Sequence, residues 1–346
     1  MGRRGALVIL WGLLLSVLLS EAVDRLGLKY VQGVIWPSDL YTFQHMPLPP
    51  IDVAVLGSSR ASFALPPSAL DGCLSQRLQR KTTSVNLART FATAFTAEDI
   101  ARELLTDARR PKVLVLGIGP EFFNEHNHQL SASVAAHARI SDLPQLLRYS
   151  RGLIDVTTAL RPLVRSGESL SIFLSGRHQS EHHLRWMMLH HGGGQYCYGT
   201  QGCEISNTDL EHNLGGHWNI AVNNMLPRVQ QERFSRYAVG TGLIHDRMMS
   251  LIRWSVENDV ELVIVRLPLH ESFLSRIPSE VILANEGYLH QLTSEHDLHV
   301  FNGNSPQWSQ RRLDYIDPDH LSARAALKFS EQVCEKMLTS ILRAQN

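Results

Sequence analysis

The sequence predicts an α/β protein built on a doubly wound parallel sheet of about five strands, interrupted by a large mixed insertion. Three observations carry this expectation. Short runs rich in Val, Ile and Leu recur along the 346 residues without polar alternation, as parallel strands covered on both faces require. Segments with apolar residues at helical spacing lie between them. The alternation of strand and helix breaks only once, across about 122–239.

The strands are read at 51–56 (IDVAVL), 83–87 (TSVNL), 112–116 (KVLVL), 260–267 (VELVIVRL) and 298–301 (LHVF). A helix at 67–79 opens on prolines, which suit a first turn. A second, at 97–109, follows Thr96 as its N-cap. A third spans 242–258, and the last starts near Leu321 and runs to about Arg343. Alternation of this kind closes most economically as a flavodoxin-like sheet. Residues 26–50, punctuated by Pro37, Pro47, Pro49 and Pro50, read as loop. The interruption holds a helical piece at 142–164 and then polar, Gly- and His-rich sequence, read as an insertion over the C-terminal edge of the sheet.

Lys+Arg and Asp+Glu balance at 33 each, so no excess of positive charge points to nucleic acid. Arg3 and Arg4 precede an uncharged, Leu-rich run at 6–19, and Glu21 and Asp24 follow it. A positive flank before an apolar segment keeps the N-terminus in the cytoplasm and sends the rest across. Residues 1–25 therefore read as a signal anchor, with cleavage at Ser20-Glu21-Ala22 and secretion as the alternative. Both place 26–346 in the periplasm or outside the cell. Cys197 and Cys203 sit six apart in a Gly-rich stretch and read as a local disulfide. Cys73 and Cys334 fall on two expected helices and read as buried small hydrophobes.

Ligands of an open parallel sheet bind beyond the carboxyl ends of its strands, so residues just after strands carry the functional expectation. Gly57-Ser58-Ser59-Arg60 follows the first strand. Gly57 permits a tight turn, and a serine presented there can act as a nucleophile beside a base. Asp317-Pro318-Asp319-His320 precedes the last helix. In it the Asp317 carboxylate can hold the His320 imidazole, which takes the serine proton. Either segment alone reads more simply as a capped turn, and it is their conjunction that points to chemistry. Val265-Arg266-Leu267-Pro268-Leu269-His270 ends the fourth strand, and Arg266 and His270 are candidate substrate contacts.

Together these segments resemble the SGNH (GDSL-like) hydrolase superfamily, and most of all its membrane-anchored branch, which acylates cell-surface polymers. The resemblance covers roughly 50–125 and 240–345. Gly57-Ser58-Ser59-Arg60 is similar to that branch's Gly-Ser-Ser-Arg, and Asp317 and His320 match its Asp-x-x-His. It implies Ser59 as nucleophile, His320 as base and Asp317 as the orienting acid, with neither cofactor nor metal. Asn86-Leu87-Ala88 resembles the family's Asn-Leu-Gly, but no glycine follows in Arg89-Thr90-Phe91-Ala92. Gly117-Ile118-Gly119-Pro120 stands where hydrolases have Gly-x-Asn-Asp. Gly57, Asn86, Gly119 and Asn124 are accordingly the candidates for the oxyanion side of the site, with Arg60 beside the nucleophile.

The resemblance implies transfer of an acyl group, most simply O-acetyl, to or from hydroxyls of an extracytoplasmic glycan. It also implies a membrane-bound acyl-donor protein as partner. A non-catalytic polysaccharide-binding or assembly protein with the same fold is the rival expectation. Seven histidines of the insertion (His178, His182, His183, His190, His191, His212 and His217) lack H-E-x-x-H or zinc-finger spacing. With Trp186, Tyr196 and Trp218 they suit a polar, aromatic surface, for which plain structural use stands beside contact with sugar rings or a partner.

Overall fold

The computed structural model describes residues 49–89, 92–106, 109–127, 130–149 and 221–344, together with single positions 11, 12, 14, 15, 18, 43 and 218. The described residues belong to two compact units. One is drawn from Leu48–Gln129 and Trp186–Asn346, the other from Met1–Pro47 and Leu130–Arg185.

The first unit opens with strand β1 (Val53–Gly57), a short helix α1 (Ser59–Ala64) and helix α2 (Pro67–Leu78). Strand β2 (Ser84–Asn86), helix α3 (Ala94–Leu104) and strand β3 (Val113–Ile118) follow. The second unit contributes helices α4 (Leu130–His137) and α5 (Leu143–Tyr149), so the helical expectation at 142–164 is met as far as the described residues go. The first unit resumes with α6 (Leu226–Phe234), α7 (Leu243–Glu257), β4 (Glu261–Arg266), a one-turn α8 (Glu271–Leu274), α9 (Ser279–His296) and β5 (His299–Asn302). It closes with α10 (Pro306–Ser309), a hairpin of β6 (Tyr315–Asp317) and β7 (His320–Leu321), α11 (Ala323–Val333) and α12 (Thr339–Ala344).

The five main strands form one parallel sheet in the order β2-β1-β3-β4-β5, the doubly wound α/β fold. β1 and β3 are buried along their whole length and β4 at its four central residues, which is why they read as unbroken apolar runs rather than alternating ones. The strand order reverses between β1 and β3, and this is the switch point at which such sheets bind ligands. Gly57 ends β1 there with φ +138°, and a Cβ on it would stand 2.3 Å from the Gly117 carbonyl oxygen. Only glycine fits that turn.

Four expectations are corrected. Helix α3 begins after Thr93 rather than Thr96: Thr93 is extended, and its carbonyl already accepts the first intrahelical bond from the Ala97 N–H. The final segment does not enter a helix at Leu321. His320 and Leu321 pair back onto β6, and Ser322 caps α11 by accepting from the Ala325 N–H. Helix α9 has no counterpart in the sequence reading. Its apolar residues Ile282 and Leu283 face solvent and Asn285 is buried, so its stripe is weak. Lastly, Cys73 and Cys334 are not free thiols but a disulfide that joins α2 to the chain just after α11, across 261 residues. Two cysteines on separate helices carry no spacing signal. The helices' shared packing in the core brings them together.

Cys197, Cys203 and the seven histidines of the insertion lie outside the described residues. Trp218 is described, and it packs against the Arg312 guanidinium (3.9 Å to the ring centroid) and edge-on to His270. Among the described residues no helix is long and apolar enough to cross a membrane.

Candidate active site

Ser59 begins α1, immediately after the Gly57 turn at the C-terminal end of β1. Asn86, on the neighbouring β2, braces that helix. Its Nδ2 donates to the carbonyls of Ala61 and Leu65, and its Oδ1 accepts from the Ala88 N–H. The β6–β7 hairpin approaches from the other side, held by the His270 N–H, which donates to the Pro318 carbonyl. Within the hairpin Asp317 Oδ1 accepts from the Asp319 N–H. That turn aims Asp317 and His320 at one another.

Ser59 Oγ and His320 Nε2 are 2.9 Å apart, and His320 Nδ1 is 3.0 Å from both carboxylate oxygens of Asp317. With Nδ1–H committed to Asp317, the neutral ring accepts the serine proton at Nε2. The ring also tilts against Phe63 with centroids 5.0 Å apart. A cavity of about 190 Å³ opens over this pair, bounded by Ala92, Gly119, Phe122 and Asn127.

A second layer of charge lies behind it. Arg60 Nη2 is 2.7 Å from Glu121 Oε1 and 2.7 Å from Asp319 Oδ2. Arg233 Nη1 contacts the same two oxygens, at 3.2 and 3.0 Å. Both guanidiniums lie over the Phe273 ring. All four charged groups are largely buried, which is tolerable only because each is paired on two sides. Burial alone would raise the Asp319 carboxyl, but the charges of His320, Arg60 and Arg233 hold it well below the usual range. Arg60 and Arg233 do the same for Glu121 against its burial.

This layer acts on His320. Burial would lower the His320 imidazolium, yet the carboxylates of Asp317 and Asp319 outweigh it and push it up to about 10. Asp319 Oδ1 stands 3.3 Å from Nδ1, further than either Asp317 oxygen. Its effect is therefore mainly one of charge, while Asp317 supplies the hydrogen bond.

The candidates thus separate. Ser59, His320 and Asp317 come together, with Arg60 and Gly119 on the cavity wall. Gly57 shapes the turn and Asn86 braces α1. Asn124 is turned away: its Nδ2 donates to the Arg233 carbonyl, and its Oδ1 accepts from the N–H groups of His126 and Ala238. Arg266 pairs with Glu286 at 2.5 Å and lines a neighbouring cavity. His270 caps α8 through Nδ1 and packs edge-on to Tyr315, beneath the hairpin. In the sequence Asp319 reads only as a cap, although it sits inside the Asp-x-x-His motif, and Glu121, one residue past Gly119-Pro120, carries no motif of its own. Arg233 gave no signal, since it lies on a helix within the apparent interruption.

Neither a comparison with protein-family models nor one with curated proteins gives a match. Among the described residues one grouping has metal-ligand character: atoms of Asp317, Asp319 and His320 lie within 4.8 Å of one another. The two arginines already neutralise Asp319, and Ser59 occupies the free nitrogen of His320. A cation seated between the Asp317 carboxylate, Asp319 Oδ1 and His320 Nδ1 would displace the Nδ1–H bond to Asp317.

Proposed function

We propose that the chain is an extracytoplasmic, membrane-anchored SGNH-type serine O-acyltransferase or esterase acting on hydroxyls of a glycan. The observation that carries this reading is the Ser59–His320–Asp317 relay, with 2.9 and 3.0 Å contacts at the switch point of a parallel sheet. Ser59 Oγ attacks the acyl carbonyl as His320 Nε2 takes its proton. The imidazolium, oriented by Asp317, then protonates the departing oxygen and leaves an acyl-serine. A sugar hydroxyl or water, deprotonated by His320, attacks that ester and frees Ser59. The cavity of about 190 Å³ holds a short acyl group rather than a long chain, which favours acetyl.

The Cys73–Cys334 disulfide supports a site outside the cytoplasm, because such bonds persist in oxidising compartments. The exposed Trp11, Leu14, Leu15 and Leu18 suit an anchoring segment. A membrane-bound acyl donor is the partner that the family resemblance implies.

A second reading, a glycan-binding or assembly protein without turnover, is favoured by one observation. Both candidate asparagine donors, Asn86 and Asn124, are spent on structural bonds. Asn127, the side-chain amide on the cavity wall among the described residues, is tied in the same way, its Nδ2 donating to the Glu121 carbonyl, so the oxyanion then depends on backbone N–H groups. Acetyl-ester hydrolysis by the full chain in detergent separates the two. Activity lost in Ser59→Ala and in His320→Ala supports the enzyme; glycan binding unchanged by Ser59→Ala, with no turnover or acyl-serine in the parent, supports the rival.

A further inference from the structure

A second cavity of about 80 Å³ adjoins the first and shares Gly119 as a wall. It lies beyond the C-terminal ends of β3 and β4, and its lining is mostly apolar, including Ile118, Leu269, Leu274 and Ile277, with the part-exposed Ile282 at its edge. One polar side chain in that lining is out of place. Asn285, near the middle of α9, is 5 % exposed, and its Oδ1 has no hydrogen-bond partner. A buried amide left unpaired is costly, and natural folds rarely keep one without a use.

The charge nearby is already spent. Arg266 reaches the same cavity but is paired with Glu286, so the cavity carries no uncompensated cation for a carboxylate or phosphate. Its volume admits a few heavy atoms rather than a sugar ring, whose hydroxyls would also lose their water against leucine and isoleucine.

We propose that this cavity is a subsite for the acylamido substituent of an N-acylated amino sugar. The acyl methyl fills the apolar pocket while Asn285 pairs with the amide. The side-chain amide turns about a soft terminal torsion, so it can accept the ligand N–H at Oδ1 or donate to the ligand carbonyl from Nδ2. Either pairing recognises an amide, and a hydroxyl-bearing sugar offers no methyl to fill the rest. The subsite fixes which ring of a glycan lies beside Ser59. Its role in choosing the acceptor rests on the acyl-transfer reading above; its existence does not.

The test is calorimetric titration of the full chain in detergent, carrying Ser59→Ala so that turnover plays no part. The probes are the β-1,4-linked tetramers of N-acetylglucosamine and of glucose, which differ only in acetamido against hydroxyl. The N-acetylated tetramer is expected to bind at least about tenfold more tightly, the worth of roughly one hydrogen bond and a buried methyl. Asn285→Leu should bring the ratio close to one. Ile282→Trp, at the part-exposed edge where folding is not at risk, should do the same by closing the entrance. Equal binding of the two tetramers, binding of neither, or a preference that survives both substitutions overturns the subsite. Hydrolysis of a small aryl acetate by the parent chain and by Ile282→Trp reads the Ser59 relay separately. A retained tetramer preference with neither hydrolysis nor an acyl-serine would remove the acyl-transfer reading and leave the subsite standing.

Discussion

Arg60 and Asp319 stand 259 positions apart in the chain and 2.7 Å apart in the site. Arg60 follows Ser59 and Asp319 precedes His320, so this buried contact locks the helix that carries Ser59 to the hairpin that carries His320.

Removing that lock should be expensive. In Arg60→Met, Asp319 and Glu121 would share Arg233 alone, and breaking a buried pair by deleting one partner costs about 3–5 kcal/mol. Urea unfolding should register the loss. Arg60→Lys should recover only part of it, because an ammonium loses the planar guanidinium's contact over the Phe273 ring. A change below about 1 kcal/mol for Arg60→Met would mean that the network contributes little.

The raised His320 sets the pH dependence. Its folded value of about 10 lies above the ordinary 6.5, so at neutral pH the resting ring is imidazolium and donates to Ser59. Acylation needs the neutral ring, so initial ester-cleavage rates should climb from pH 7 towards 10. Stability runs the other way. The contribution of His320 is fully present below about 6.5 and is lost as pH rises through about 10. Asp319→Asn removes one of the two carboxylates that raise the ring, and should move the rising limb of the rate profile to lower pH. A profile flat from 6 to 10, or unmoved by Asp319→Asn, would contradict this account of the base.

Asp317 and Asp319 both face Nδ1 but should not be interchangeable. Only Asp317 makes the 3.0 Å contacts that select the Nδ1–H tautomer. Asp317→Asn should therefore lower turnover on the order of 10³- to 10⁴-fold, as losing tautomer control does in serine hydrolases. Asp319→Asn should lower it less. Steady-state kinetics at a fixed alkaline pH would compare them.

The Cys73–Cys334 bond closes a loop of 261 residues, and removing a native disulfide typically costs 2–5 kcal/mol. Paired Cys73→Ser and Cys334→Ser should lower the unfolding free energy by that amount. Peptide mapping under non-reducing conditions should recover residues 73 and 334 in one linked species.

The sheet was legible because β1, β3 and β4 are buried, and burial on both faces writes itself as unbroken Val, Ile and Leu. The relay was legible for a related reason: Ser59 and the hairpin of Asp317 and His320 each occupy short segments whose spacing is fixed by a turn. What escaped depends on contacts between distant segments. Arg233 meets Glu121 and Asp319 only because α6 packs beside the β3 loop, where the Glu125 N–H donates to the Ala238 carbonyl. Asn124 looked like an oxyanion donor from its position after β3, yet it is consumed in joining that same loop to α6. The disulfide and α9 were hidden likewise, one by separation and the other by a stripe that tertiary contacts, not periodicity, hold in place.

The most direct test of the central claim is to trap the acyl-enzyme. The full chain in detergent would be quenched in acid after brief exposure to an activated acetyl ester at alkaline pH, and its peptides mapped by mass spectrometry. The expected result is a single acetyl group on Ser59, absent in His320→Ala and strongly reduced in Asp317→Asn. Acetyl scattered over surface lysines with Ser59 unmodified, or Ser59 labelled equally well without His320, would contradict a nucleophile activated by this relay.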